Sequence, residues 1–111
     1  MTDPDTLTIF QDVLSAVVVA PIFEELLFRG VLFMGLMKRI RPVPAALVSS
    51  TLFALMHTQY DPWGLLSVGV MGLVCCWLVW RTGSIKWGVA LHAIYNLVIT
   101  VDVYLLYQMA N

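Results

Sequence analysis

Three groups of polar residues interrupt an otherwise apolar chain: Glu24-Glu25-x-x-x-Arg29, Phe53-x-x-x-His57 and His92-x-x-x-Asn96. Residues four apart on a helix share a face. Glu25 can therefore pair with Arg29, Phe53 lies one turn from His57, and His92 and Asn96 present together. At ~3.6 residues per turn Glu24 is rotated by about 100° from Glu25, which leaves it as the carboxylate without the arginine. A carboxylate and an imidazole at hydrogen-bond distance can hold and deprotonate a water. A second imidazole and a carboxamide can donate to an oxygen that becomes anionic during acyl transfer. Such a set suits peptide hydrolysis without a covalent intermediate. Ser49, Ser50 and Thr51 precede His57 on its segment, but nothing in their spacing directs one of them toward a base.

The same groups permit a second chemistry. Glu24, His57 and His92 form a common catalytic zinc set, with the fourth position left for water. Those ligands would come from three separate segments, and the compact His-Glu-x-x-His motif of many zinc proteases is absent. Metal-free glutamate chemistry is ranked first, with zinc kept beside it. Each group also has a structural use: Glu25 and Arg29 as an intramembrane ion pair, His57 as a helix-end residue beside Thr58 and Gln59, and His92 with Asn96 as interhelical glue. An ion pair accounts for Glu25 and Arg29 but not for Glu24. An unpaired charge near a bilayer centre costs ~2.5–3.5 kcal/mol on insertion scales.

These residues need a membrane around them. Hydrophobic residues make up 60% of the 111-residue chain, charged residues 12%, and mean hydropathy is +0.87, whereas soluble domains carry about 25% charge. At ~20 residues per span the length accommodates about four transmembrane helices in one bundle, residues 1–111 forming a single domain with no soluble part. Lys and Arg are scarce outside two short loops, so there is no basic surface for nucleic acid. Expected partners are membrane lipids and a membrane-anchored peptide. The acidic start, Met1-Thr-Asp-Pro-Asp5, lacks the positive region of a secretory signal, so the first apolar segment is expected to stay as a span. Cys75 and Cys76 are adjacent within an apolar run and suit packing.

The expected spans run from after Asp3-Pro4-Asp5 to Met37, from Pro42 to Tyr60, from Pro62 to Trp80 and from Trp87 to about Met109. Asp61-Pro62 reads as a cap followed by a first-turn proline. Pro21 removes a backbone hydrogen bond and is expected to bend the first helix. Gly64, Ser67, Gly69 and Gly72 give the third segment a small-residue face for close packing. Phe28, Phe33 and Phe53 read as packing or lipid-facing, and Asp102 as lying near the outer interface. Five of the six basic residues fall in the loops carrying Lys38, Arg39 and Arg41, and Arg81 and Lys86. The positive-inside rule makes those loops cytoplasmic and puts both termini on the other side. Counting ~1.5 Å per residue from those loops sets Glu24 and His57 nearly level, and His92 and Asn96 somewhat nearer a cavity opening to the cytoplasm. A shared water requires Glu24 and His57 within about 6 Å.

Taken together and in this order, the motifs resemble the signature of the CPBP intramembrane protease family, also called Abi, which includes the type II CAAX prenyl endopeptidases. The matching residues are Glu24-Glu25-Leu-Leu-Phe-Arg29, Phe53-Ala-Leu-Met-His57 and His92-Ala-Ile-Tyr-Asn96, and the resemblance covers roughly Ala20 to Asn96. It implies an all-α membrane endopeptidase in which Glu24 and His57 activate water, His92 and Asn96 form the oxyanion hole, and Glu25 with Arg29 orients the site. Prenylated CAAX tails, membrane-anchored peptides and bacteriocin-related peptides are the substrate classes it brings, and the family has been read both as metallo- and as glutamate-dependent. Members usually carry further helices before the first motif, so the chain reads as a minimal core or a fragment. Two other functions use the same residues. One is a non-enzymatic immunity or scaffold protein; the other is a small proton or ion pathway.

Overall fold

The computed structural model describes residues 5–111, all of whose regular elements are helical. We label them α1 (Thr6–Leu36), α2 (Pro42–Leu55), α3 (Pro62–Thr82) and α4 (Lys86–Ala110). Two starts follow the expected capping chemistry. Asp5 accepts from the Thr8 N–H at 2.7 Å, a bond that holds its carboxyl below the ordinary 3.8, and Asp61 accepts from the Gly64 N–H at 2.7 Å ahead of Pro62. The expected capping residues Asp3 and Pro4 lie outside the described residues. Gly83, with φ of 69°, closes α3 in the left-handed conformation that glycine adopts without strain.

Cross-helix contacts fix the directions. Glu25 meets His92 while Ala16 meets Asn96, so α1 and α4 run antiparallel. Ser67–Tyr95 and Cys75–Gly88 do the same for α3 and α4. Three helices, α1, α3 and α4, are long and apolar enough to cross a membrane, and the protein is an integral membrane protein. The second segment departs from expectation. Its helix stops at Leu55 after 14 residues, about 21 Å at ~1.5 Å per residue, and Met56 to Tyr60 form turns instead of a last helical turn. The backbone there is held by short-range bonds, His57 N–H to Ala54 O and Tyr60 N–H to His57 O. An all-apolar run can be measured from sequence. Where its helix gives way to the Thr58-Gln59 turn is decided by local hydrogen bonding.

α1 is not uniform. Ser15–Val19 and Leu26–Phe33 are wound as π-helix, with the regular α-turn Ala20–Glu25 between them. Pro21 therefore enters directly after a π turn, which is how the chain accommodates the missing N–H. Two buried clusters join the helices. Phe28, Phe53, Val68, Met71 and Cys75 pack around the polar site, and Phe33, Ala45, Cys76 and Val79 pack on the side of the basic loops. Both cysteines are buried and free, as packing residues would be.

Candidate active site

The α-helical turn Ala20–Glu25 ends with the two glutamates, and the π-wound segment after it supplies Arg29. Arg29 Nη1 stands 3.2 Å from Glu25 Oε1, both side chains being fully buried. His92, 1% exposed, hydrogen-bonds Glu25 Oε1 through Nδ1 at 2.9 Å. Its other nitrogen, Nε2, faces Glu24 Oε2 at 3.2 Å. One imidazole thus bridges two adjacent carboxylates. Glu24 is the one without the arginine, as the helical rotation requires, and at 31% it is the most exposed member of the cluster.

His57 reaches the same carboxylate from the turn after α2. Its Nδ1 lies 2.8 Å from the carbonyl of Phe53. A carbonyl only accepts, so Nδ1 carries the proton and Nε2 of the neutral ring is a lone pair. That Nε2 stands 3.9 Å from Glu24 Oε2, too far for a direct hydrogen bond and close enough for both to grip one molecule between them. Glu24 Oε2 is buried, and apart from the 3.2 Å approach of His92 Nε2 it has no partner among the described residues; Glu25 Oε2 and the Arg29 nitrogens likewise make no hydrogen bond of good geometry. An acceptor left in that state inside a protein needs a physical reason. For Glu24 the polar atoms nearest that oxygen are the Nε2 atoms of His92 and His57.

Phe53, read from sequence as packing, is the hub of the site. Its ring lies 4.4 Å beneath the Arg29 guanidinium carbon, 4.6 Å from the His57 ring and 5.4 Å edge-on to His92. The cation–π contact is the nearest face that buried guanidinium has besides Glu25. Tyr60 was not singled out by any sequence pattern, yet its ring is parallel to His57 at 6.1 Å. Burial pushes its phenol above 10, with Tyr95 and Glu24 adding to the rise, so it stays a neutral donor. Gly72 and Gly88 were also missed as site residues. A Cβ at Gly72 would stand 2.7 Å from Arg29 Nη2, and one at Gly88 would stand 3.1 Å from Glu25 Oε2. The small-residue face of α3 is therefore split, Gly72 making room for the arginine while Ser67 bonds the Tyr95 hydroxyl at 2.8 Å. Ser49 and Ser50 turn to the Phe28 carbonyl and Cys76, away from any base.

Asn96 is placed differently. Its amide donates to the Ala16 carbonyl at 2.7 Å, one turn beyond the cluster, and both nitrogens of His92 face the glutamates. The pair implied as an oxyanion hole is thus engaged elsewhere. The depth count also needs correction. His92 and Glu25 are in contact, so they are level, although His92 sits in the second turn of α4 and Glu25 about three turns from the end of α1. α1 projects further than α4 on the basic side, and counting from both loops as if they were level misplaced His92. The partly exposed members of the cluster, Glu24 and His57, lie beside the α2–α3 turn, where Thr58 and Gln59 are exposed. Among the described residues no group of three or more His, Cys, Asp or Glu is arranged to hold a metal ion. Asp102 is exposed near the free end of α4.

Residues 6–98 match the family of type II CAAX prenyl endopeptidases, described as Rce1-like. The chain belongs to this family. It is also similar to UPF0177 protein YxdF of Lactococcus lactis subsp. lactis (strain IL1403), 31% identical over 80 residues. That match covers 72% of this chain and 43% of the relative, so the chain spans less than half of the curated relative's length. No solved structure matches it. The family is one of CAAX-type intramembrane proteases, and the Glu24–Asn96 interval that holds the polar cluster lies wholly within the matched residues.

Proposed function

We propose that this chain is an intramembrane endopeptidase that hydrolyses a peptide bond of a membrane-anchored substrate with a water activated by Glu24 and His57. The observation that carries this reading is the convergence of two imidazoles on Glu24 Oε2, His92 Nε2 at 3.2 Å and His57 Nε2 at 3.9 Å. Water donates one hydrogen to Glu24 and one to His57. Glu24 takes its proton as the oxygen attacks the scissile carbonyl carbon, then returns that proton to the leaving nitrogen as the C–N bond breaks. His92 places Glu24, and Glu25 with Arg29 places His92. No metal enters the sequence of steps. Substrate classes are a prenylated CAAX tail and a bacteriocin-related peptide, and the loops of Lys38, Arg39, Arg41, Arg81 and Lys86 face the cytoplasm by their charge.

Glu24→Gln tests the reading because it keeps the shape and removes the base. In proteoliposomes with a fluorogenic membrane-anchored peptide, cleavage should fall by about 10²–10⁴-fold, with the thermal midpoint in detergent unchanged. Undiminished cleavage overturns the assignment, and pH-dependent ion flux without cleavage points to a proton pathway instead. The same preparation should keep its activity in chelator. Stoichiometric zinc, lost together with activity, would make Glu24, His57 and His92 ligands.

A further inference from the structure

The hydrogen bond from Asn96 to Ala16 meets a need that is visible in the backbone of α1. In the π turn Ser15–Val19, the N–H of Ala20 goes to Ser15 O, five residues back. An α-helical bond would have taken that N–H to Ala16 O. The next backbone nitrogen that could serve Ala16 in the π register belongs to residue 21, which is proline and has no N–H. The Ala16 carbonyl therefore lacks both its α-register and its π-register backbone donor. It lies in a span, where no bulk water replaces them. Asn96 Nδ2, at 2.7 Å, is the group that does.

This bond has a defined relation to the chemistry. Asn96 lies one turn beyond His92 on α4, and Ala16 and Pro21 lie just ahead of Glu24 on α1. The contact thus ties together, immediately next to the cluster, the two helices whose relative placement sets the 3.2 Å approach of Glu24 to His92. Ser49 does the same at the second π segment, donating to Phe28 O at 2.8 Å from α2. Each irregular stretch of α1 has one carbonyl taken by a side chain of another helix.

We propose that Asn96 is a positioning residue: its amide supplies the hydrogen bond that Pro21 cannot, and so holds α4 against α1 in the register that sets His92 against Glu24. The inference rests on the hydrolase reading for its catalytic consequence, and on backbone bonding alone for the coupling of Asn96 to Pro21. A residue that donated to the substrate oxyanion would have no dependence on position 21.

The test is a double-mutant cycle of Asn96→Ala and Pro21→Ala, with cleavage kinetics and the ring-nitrogen NMR resonances of His92 measured on all four proteins. Asn96→Ala alone should lower kcat by up to about 10²-fold, the cost of a displacement near 1 Å, with KM little changed and the His92 resonances shifted. In the Pro21→Ala background an N–H is restored to residue 21. The cost of Asn96→Ala should there fall to within about threefold, a loss of at least one factor of ten that direct catalysis would not show. In that background the residue 21 N–H already occupies the Ala16 carbonyl, so the His92 resonances should be nearly the same with and without Asn96. Equal costs of Asn96→Ala in both backgrounds would overturn the proposal, as would His92 resonances that Asn96→Ala alone leaves unmoved. If Pro21→Ala does not fold, Pro21→Gly restores the same N–H. Should no variant or parent cleave peptide, the hydrolase reading fails by itself, and the His92 resonances still decide whether positions 96 and 21 are coupled.

Discussion

Arg29 and His57 touch the same phenylalanine ring and are held there by opposite means. Arg29 is fully enclosed, its charge set against Glu25 and its face on Phe53, with no exposed atom through which water could take over if a partner were lost. His57 stands in a turn, 17% exposed, and is fixed by one bond to a carbonyl. Their substitutions should therefore separate stability from turnover. Arg29→Ala leaves Glu25 as a buried charge without a counterion and should cost about 3–5 kcal/mol, lowering the thermal midpoint and expression before any kinetic effect is read. His57→Gln should leave the midpoint within a degree or two of the parent and reduce kcat by about 10²–10⁴-fold, because it replaces the basic ring nitrogen beside Glu24 Oε2 with a non-basic amide. Thermal unfolding in detergent, run beside the cleavage assay, checks both. Two variants with the same profile would mean that the cluster acts as one structural unit, with no division of labour between Arg29 and His57.

The site is built from elements that were legible in the sequence to very different degrees. The glutamate doublet, both histidines and Arg29 stood out because a charge or imidazole in an apolar run needs a reason, and the spacing of four paired Glu25 with Arg29 correctly. Helix existence and the capping at Asp61-Pro62 followed from composition and local chemistry. The π turns of α1 did not, because they depend on which carbonyl each N–H finds, and no side-chain pattern records that. The end of α2 at Leu55 was hidden for a similar reason. Phe53 and Gly72 were read only as packing residues and Gly88 not at all, since aromatic and glycine residues are common in membrane helices and their role at the site exists only once three helices meet. Substituting the glycines probes that meeting of helices. Gly88→Ala puts a methyl 3.1 Å from Glu25 Oε2, which must shift the carboxylate by a few tenths of an ångström and so strain the 2.9 Å bond of its Oε1 with His92, and kcat should fall while the fold persists. Gly72→Ala meets Arg29 Nη2 at 2.7 Å, with Ser50 and Phe53 close behind, and should cost about 1–3 kcal/mol of stability as overpacking does. Gly35, where an added methyl would have nothing within 4 Å, is the control; Gly35→Ala should change neither measurement. An effect at Gly35 as large as at Gly88 would show that helix composition, not the niche, is being read.

For the whole molecule the decisive asymmetry is along the long axis, which measures 51 Å. On the basic side α1, α2 and α3 pack through the Phe33–Ala45–Cys76–Val79 cluster. On the other side α2 and α3 end at the level of the cluster, while α1 reaches back to Thr6 and α4 on to Ala110, their apolar side chains largely exposed. Faces of that kind need lipid or further protein against them. The polar site thus sits beneath the α2–α3 turn, at the far end of α2 from Lys38, Arg39 and Arg41. The charge rule expects the basic loops in the cytoplasm, and in that orientation a peptide would approach Glu24 from the opposite side of the bilayer. Ile40→Cys and Thr58→Cys, both at exposed positions, report on this directly, since Cys75 and Cys76 are buried and should not react. With a membrane-impermeant maleimide on sealed vesicles of known orientation, Ile40→Cys should label from the cytoplasmic face and Thr58→Cys from the other. A substrate presented on that second face should then be the one cleaved, which favours an exported, bacteriocin-like peptide over a CAAX tail. The reverse labelling pattern would set the charge rule aside for this chain, turn the open side of the site to the cytoplasm, and make the prenylated tail the substrate that can reach it.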